Sequence, residues 1–270
     1  MTNLLRANLT RLIKSATFWI CVAAYALYAI IFPFILKSSN DPVDNAFVAN
    51  YGVIGTGVPL QGLLITLICV VFLGSDFQNG TSKNKIILGQ SRTKIYLANL
   101  LTSFIISMAL NVVFLLFFFI VAMPILGGFT QSASTALWIL VNGTLITFLI
   151  MTTKNVTFSL IIAFVILFLG GMWFFTMLNN IAIQPEFIPI RCHDMAGNEW
   201  YEYTPNPNFE SKPIRDLCQF LLDLFPSGQS MQISREDGYT HGWQMMLYSL
   251  GLIGATSGAG ILVFNKTNIK

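Results

Sequence analysis

The sequence predicts an all-α, polytopic membrane protein with six transmembrane helices. An N-terminal interfacial helix precedes them, and an extracytoplasmic helical segment joins spans five and six. Three observations carry this expectation. Only 10% of the 270 residues are charged while 54% are hydrophobic, and the mean hydropathy is +0.67. A soluble domain uses about 25% charged residues to face water, so lipid must be the solvent for much of this chain. The apolar residues also form blocks of about 20, the helix length that crosses a hydrocarbon core of about 30 Å. Finally, the cations gather in alternate connecting segments.

The blocks are residues 17–36, 58–75, 95–125, 134–153, 157–178 and 242–264. The second is the weakest, because Pro59 and Gln61 lie near its start; the third is longer than one crossing needs. Three cations precede the first block, as in a signal peptide, but its 20 residues exceed an h-region of about 7–15 and no small-residue cleavage site follows. It is read as an uncleaved span. Cytoplasmic loops favour Lys and Arg. Six crossings with both termini cytoplasmic place ten of the fifteen cations inside: Arg6, Arg11, Lys14, Lys83, Lys85, Arg92, Lys94, Lys154, Lys266 and Lys270. Of the twelve acids, only Asp76 falls on that side. The inverted topology would expose the cluster from Lys83 to Lys94 on the outside.

Residues 1–15 read as the interfacial helix. Leu4, Leu5, Leu9, Leu12 and Ile13 share one arc at 3.6 residues per turn, and Asn3, Arg6, Thr10, Arg11 and Lys14 share the other. Residues 38–57 are polar and read as an outer loop. In the cytoplasmic loop 76–94, Asn79-Gly80-Thr81 predicts a turn and a helix N-cap, Lys85 to Leu88 a short helix stopped at Gly89, and Ser91 a cap for the next span. Such a helix across the ends of two spans is a docking element; on pattern alone, an ordinary basic loop reads equally well. Residues 127–132 read as an outer turn, and Lys154-Asn155 as an inner one.

The outer segment 179–241 holds nine of the twelve acids and both histidines. Its aromatics and prolines, from Trp200 to Phe209, predict a packed excursion. Ile214, Leu217, Cys218, Leu221, Leu222 and Phe225 recur at helical spacing, ended by Pro226 and Gly228, and predict an amphipathic helix resting on the bilayer. In the last span Gly251, Gly254, Ala255 and Gly258 form a small-residue face that another helix can approach closely, unless they reflect only the abundance of glycine in membrane helices.

The apolar blocks hold almost no ionisable group, which disfavours an ion-coupled carrier and an intramembrane hydrolase. No phosphate-binding G-x-x-x-x-G-K-[ST] motif occurs, so this chain is not itself an ATPase. Cys192 and Cys218 could bridge in an oxidising compartment or remain free thiols. Cys192-His193-Asp194 lacks a matching second cluster for a metal, and His241 reads as an interfacial residue.

The run Asp76-Phe77-Gln78-Asn79-Gly80-Thr81, followed by Ser91-Arg92-Thr93-Lys94-Ile95-Tyr96, resembles the first cytoplasmic loop of type-2 ABC exporter permeases. In that family an acidic-aromatic-x-x-Gly-Thr run and a Ser-Arg pair form the coupling helix that sits on the ATPase. Asp76 stands where Glu is commoner. Leu224 to Gln229, before the last span, also resembles the family's outer segment, and the order of pieces matches along the whole chain. The resemblance implies one permease domain, 1–270, in the plasma membrane, with Asp76, Phe77, Gly80, Thr81, Lys83, Lys85 and Arg92 coupling it to an ATPase. The implied partners are two ABC ATPase subunits, a second permease chain and membrane lipid, with no nucleic acid. ATP and Mg would bind the ATPase, and no cofactor this chain. Bacterial exporters of antimicrobial peptides and lantibiotics are the nearest in flavour. The alternative is a membrane sensor or assembly protein whose outer segment binds a ligand and whose basic loop contacts a cytoplasmic partner.

Overall fold

The computed structural model describes residues 1–38, 45–122, 129–182, 184–193, 199–233 and 241–267. Ten α-helices and a two-stranded sheet account for most of them: α1 (Thr2–Ile13), α2 (Ala16–Ser38), α3 (Asn45–Gln78), α4 (Thr81–Ile87), α5 (Arg92–Ala122), α6 (Phe129–Thr153), α7 (Val156–Met177), β1 (Phe187–His193), β2 (Glu199–Pro205), α8 (Lys212–Leu224), α9 (Pro226–Ile233) and α10 (Gly242–Lys266). Helices α3, α5, α6, α7 and α10 are long and apolar enough to cross a membrane, five in all, or six where α1 and α2, bent by 63° at their junction, count as one span. The chain is thus a multi-pass α-helical membrane protein.

The centre of the bundle is α3, α5 and α6. The most apolar stretch of α3 is 61% buried inside the chain, against 22% for α7 and 17% for α10. Lipid or another chain must therefore cover most of α7 and α10. Buried hydroxyls and amides join the central helices, because the hydrocarbon offers no water to satisfy them. Ser103 Oγ lies 2.7 Å from Thr147 Oγ1, and the Tyr25 hydroxyl donates to Gln61 Oε1 at 3.2 Å.

The short turn at Lys154-Asn155 is as expected. Lys154 adopts a left-handed φ of 55°, and the Asn155 side chain accepts from the Phe158 amide at 3.0 Å. Burial and the neighbouring Arg92 charge hold the Lys154 ammonium pKa below its ordinary value.

Three expectations are corrected. Helix α3 begins at Asn45, inside the segment predicted as a loop, since isolated polar residues and glycines there do not break the helix. The segment 179–241 carries a β-hairpin as well as helices. Phe187 pairs with Pro205 and His193 with Glu199, and the alternating Trp-Tyr-Glu-Tyr-Thr run supplies the β-branched and aromatic residues that strands favour. Asn206 holds the hairpin base, donating to Gln184 Oε1 at 3.0 Å and to the Pro185 carbonyl at 2.9 Å. Lastly, Pro226 opens a new helix instead of only ending one: Phe225 is extended, and proline suits a first helical position. The turn predicted at 127–132 is corrected as well: residues 127–128 lie outside the described residues, and 129–132 already belong to α6.

Candidate functional site

Helix α4 is punctuated at both ends by glycine. Gly80 at φ 66° and Gly89 at φ 81° take the left-handed conformation that costs other residues about 1–2 kcal/mol. The Gln90 amide donates to the Lys85 carbonyl at 3.1 Å and the Gly89 amide to Ile86 at 2.9 Å, a Schellman ending. Gly80, not Thr81, is the N-cap, and no side chain caps this end. Ser91 opens α5 as expected, its Oγ accepting from the Lys94 amide at 3.4 Å.

Asp76, at the last turn of α3, has no exposed surface. Its carboxylate accepts from Arg11 of α1 and, at 2.8 Å, from Lys85 of α4. The Arg11 guanidinium also lies 4.2 Å from the Phe72 ring centroid and donates to the Phe72 carbonyl at 3.3 Å. Lys85 reaches Asn8 Oδ1 at 3.3 Å, while the Asn8 amide donates to Asn99 Oδ1 at 3.0 Å and Thr102 Oγ1 at 3.2 Å on α5. One buried carboxylate with two cations and an amide chain therefore binds α1, α3, α4 and α5 together. A carboxylate so buried is sustained only by such pairing.

The seven residues singled out from the sequence thus separate. Asp76 and Lys85 are spent on this internal cluster. Phe77 packs inward, its ring centroid 6.4 Å from that of Phe264. Arg92 donates to the carbonyls of Asn265 (3.1 Å) and Thr267, closing the C-terminal end of α10, where a cation complements the helix dipole. Gly80 makes the turn and Thr81 is half-buried. Lys83 is exposed. Beside it stand two residues that the motif did not include: Ile87 is 73% and Leu88 78% exposed at the tip of α4. Asn8 was also missed, although it falls within the leucine arc, between Leu4 and Leu12, at 3.6 residues per turn; the partners that bury it are visible only once α5 is in place.

A second polar cluster lies at the other end of the bundle. Asp223 accepts from Gln219 at 2.8 Å and Gln232 at 2.9 Å, and its other oxygen is 3.2 Å from His241 Nδ1. Gln229 donates to the Asp223 carbonyl at 2.7 Å and accepts from Ser249 at 2.9 Å. The cluster fixes α8 and α9 onto α10.

Cys192 and Cys218 are free, so the disulfide allowed by the sequence is not formed. Cys218 is buried against Phe174, Met177 and Leu222, and burial, with the Glu210 charge, raises its thiol pKa. Cys192 stands on the hairpin, 3.8 Å from Glu202 Oε2. Among the described residues no group of His, Cys, Asp and Glu could hold a metal ion.

The predicted packing face of α10 meets nothing within the chain: a Cβ added at Gly251, Gly254 or Gly258 finds no atom within 4 Å, and Ala255 is exposed. The close-packing glycine is instead Gly260, where a Cβ would overlap the Tyr96 hydroxyl of α5. No family model and no curated protein matches this sequence, so its class rests on the helices themselves: a multi-pass membrane protein with a short helix bolted across one end.

Proposed function

We propose that this chain is the membrane subunit of an ATP-driven exporter, working with a second permease chain and two separately encoded ATPase subunits. On this reading it lies in the plasma membrane with both termini cytoplasmic. Its cargo is an amphipathic or hydrophobic molecule, such as a peptide, an antibiotic or a lipid-like compound. ATP hydrolysis belongs to the partner, and this chain contributes no catalytic group.

The observation that supports the reading is the construction of α4. Its inner side is tied through Lys85 and Asp76 to α1 and α3, while its tip presents Ile87, Leu88 and Lys83. Two adjacent aliphatic side chains at such exposure suit insertion into an apolar groove of another protein. The ties behind them would carry a displacement of α4 into the spans. The resemblance of loop 76–94 to a coupling helix supplies the identity of the partner.

A tagged chain co-expressed with the ATPase encoded beside it should retain that ATPase in mild detergent and hydrolyse ATP. The pair Ile87→Asp and Leu88→Asp should abolish retention without altering the helical content. Failure of the unaltered chain to hold any ATPase subunit would overturn the proposal. The sensor reading draws on the hairpin, whose Tyr201 and Tyr203 side chains are exposed; a neighbouring kinase gene with no ATPase gene would favour it.

A further inference from the structure

An apolar slot of about 500 Å³ opens between α6, α7 and α10, roofed by the corner where α8 passes into α9. We infer that this slot holds one acyl chain of a bilayer phospholipid, in the leaflet on the hairpin side. The inference rests on the membrane-crossing helices and not on the export reading.

Length is the first argument. The slot's lining on α7 runs from Ala163 to Phe174, twelve residues whose eleven steps span about 16 Å at the helical rise. That is about half of a hydrocarbon core of about 30 Å, the depth of one leaflet. The roof lies at the hairpin end, where the Phe174 and Phe225 rings meet at 5.5 Å between centroids. A chain lying in the slot beneath this roof would end near the bilayer midplane.

The second argument is chemical. Among the lining side chains only Asn142 and Ser227 are polar, and the Asn142 amide is already donating to the Trp138 carbonyl at 3.0 Å. No charged group lines the slot, so it offers nothing to a headgroup and everything to a methylene chain. Water would find too few partners there, and an empty slot of this size would forfeit dispersion contacts on every wall.

Access is the third. Ile166 and Trp173 line the slot and are also more than half exposed on the outer surface of α7. The slot therefore opens sideways, onto a helix face that the chain itself leaves uncovered. The molecule present in quantity on such a face is lipid. At the inner wall, a Cβ on Gly170 would come within 3.3 Å of Ser227 Oγ, so glycine keeps the passage open beside the roof.

The test uses the full-length chain, purified in mild detergent, washed extensively and examined by native mass spectrometry. One phospholipid per chain should survive the wash, and added phospholipids should compete according to acyl length but not headgroup charge. Ala163→Phe, which fills the slot from α7, should reduce retention to background at unchanged helical content. Should that variant not fold, the smaller Ala163→Leu should weaken retention in the same direction. As an independent readout, phospholipids brominated along the chain should quench Trp173 fluorescence, with all other tryptophans replaced by Phe, more than headgroup-labelled ones. Equal retention in the filled and unaltered chains would overturn the assignment. So would headgroup-dependent competition, or cross-linking of Leu252→Cys to a second copy in place of lipid.

Discussion

Asp76 of α3 and Arg11 of α1, 65 residues apart in the chain, form an ion pair whose carboxylate is wholly buried. Lys85 occupies its second oxygen at 2.8 Å. Asp76→Asn keeps the shape and removes the charge, leaving two cations without a counter-ion. Removing one partner of a buried pair typically costs about 3–5 kcal/mol, and the 36% exposure of the Arg11 side chain places this case at the low end. The thermal midpoint in detergent should fall clearly for Asp76→Asn and less for Arg11→Met. An unchanged midpoint for Asp76→Asn would mean that the cluster does not bind α1 and α4 to the bundle.

Arg92 makes a local contribution. Arg92→Gln should leave the overall midpoint nearly unchanged but free the carbonyls of Asn265 and Thr267. Amide exchange should therefore quicken over the last turn of α10 and not in α5; a hydrogen bond to a charged donor is worth about 1.5–3 kcal/mol. Uniform protection across both helices would contradict this assignment.

Tyr96 and Gly260 give a pair of opposite outcomes. The Tyr96 hydroxyl is buried without a partner, so Tyr96→Phe should be neutral or stabilising, by up to about 1 kcal/mol. Gly260→Leu forces a side chain into the same ring and should cost about 1–3 kcal/mol or more. Thermal melts of the two variants, compared with the unaltered chain, check both signs.

The exposed glycines should behave differently. Gly254→Leu and Gly258→Leu meet open space within the chain, so the melting midpoint should stay unchanged. If a second chain packs on this face, the same changes should shift the protein from dimer to monomer in detergent-resolved mass measurements. If lipid covers it, neither readout should move.

The thiols distinguish themselves by reactivity. Maleimide should label Cys192 first, while Cys218, buried and with its pKa raised, should react slowly and faster only as pH rises toward its elevated value. Non-reducing gels should show no internal bridge. Equal labelling rates at neutral pH would show that α8 separates from α7 in solution.

Much of this was legible in the residue order. The apolar blocks placed the crossings on α3, α5, α6, α7 and α10, with those on α7 and α10 within about four residues at each end, because lipid forces every spanning backbone into helix and so ties hydropathy to structure. Gly80 and Gly89 marked the two ends of α4, since glycine is the residue that tolerates positive φ, but the helix predicted from Lys85 to Leu88 in fact runs from Thr81 to Ile87. The hairpin was missed because its period-two pattern is short and interrupted by prolines. The roles within loop 76–94 were also not legible: Asp76, Lys83, Lys85 and Arg92 are alike as charges in a string.

By itself, then, the sequence determined the solvent of this protein and the helices α3, α5, α6, α7 and α10 that are long and apolar enough to cross it. Only tertiary structure decided which charges are spent inside. Asp76 and Lys85 face one another because α1 and α4 converge on the end of α3, and a buried charge survives only where its partner is brought to it. It also decided that Ile87 and Leu88 remain uncovered, and that Gly260, rather than the glycines at 251, 254 and 258, is where two helices of this chain touch. Composition sets a residue's affinity for lipid or water; the neighbours that satisfy it come from helices far away in sequence.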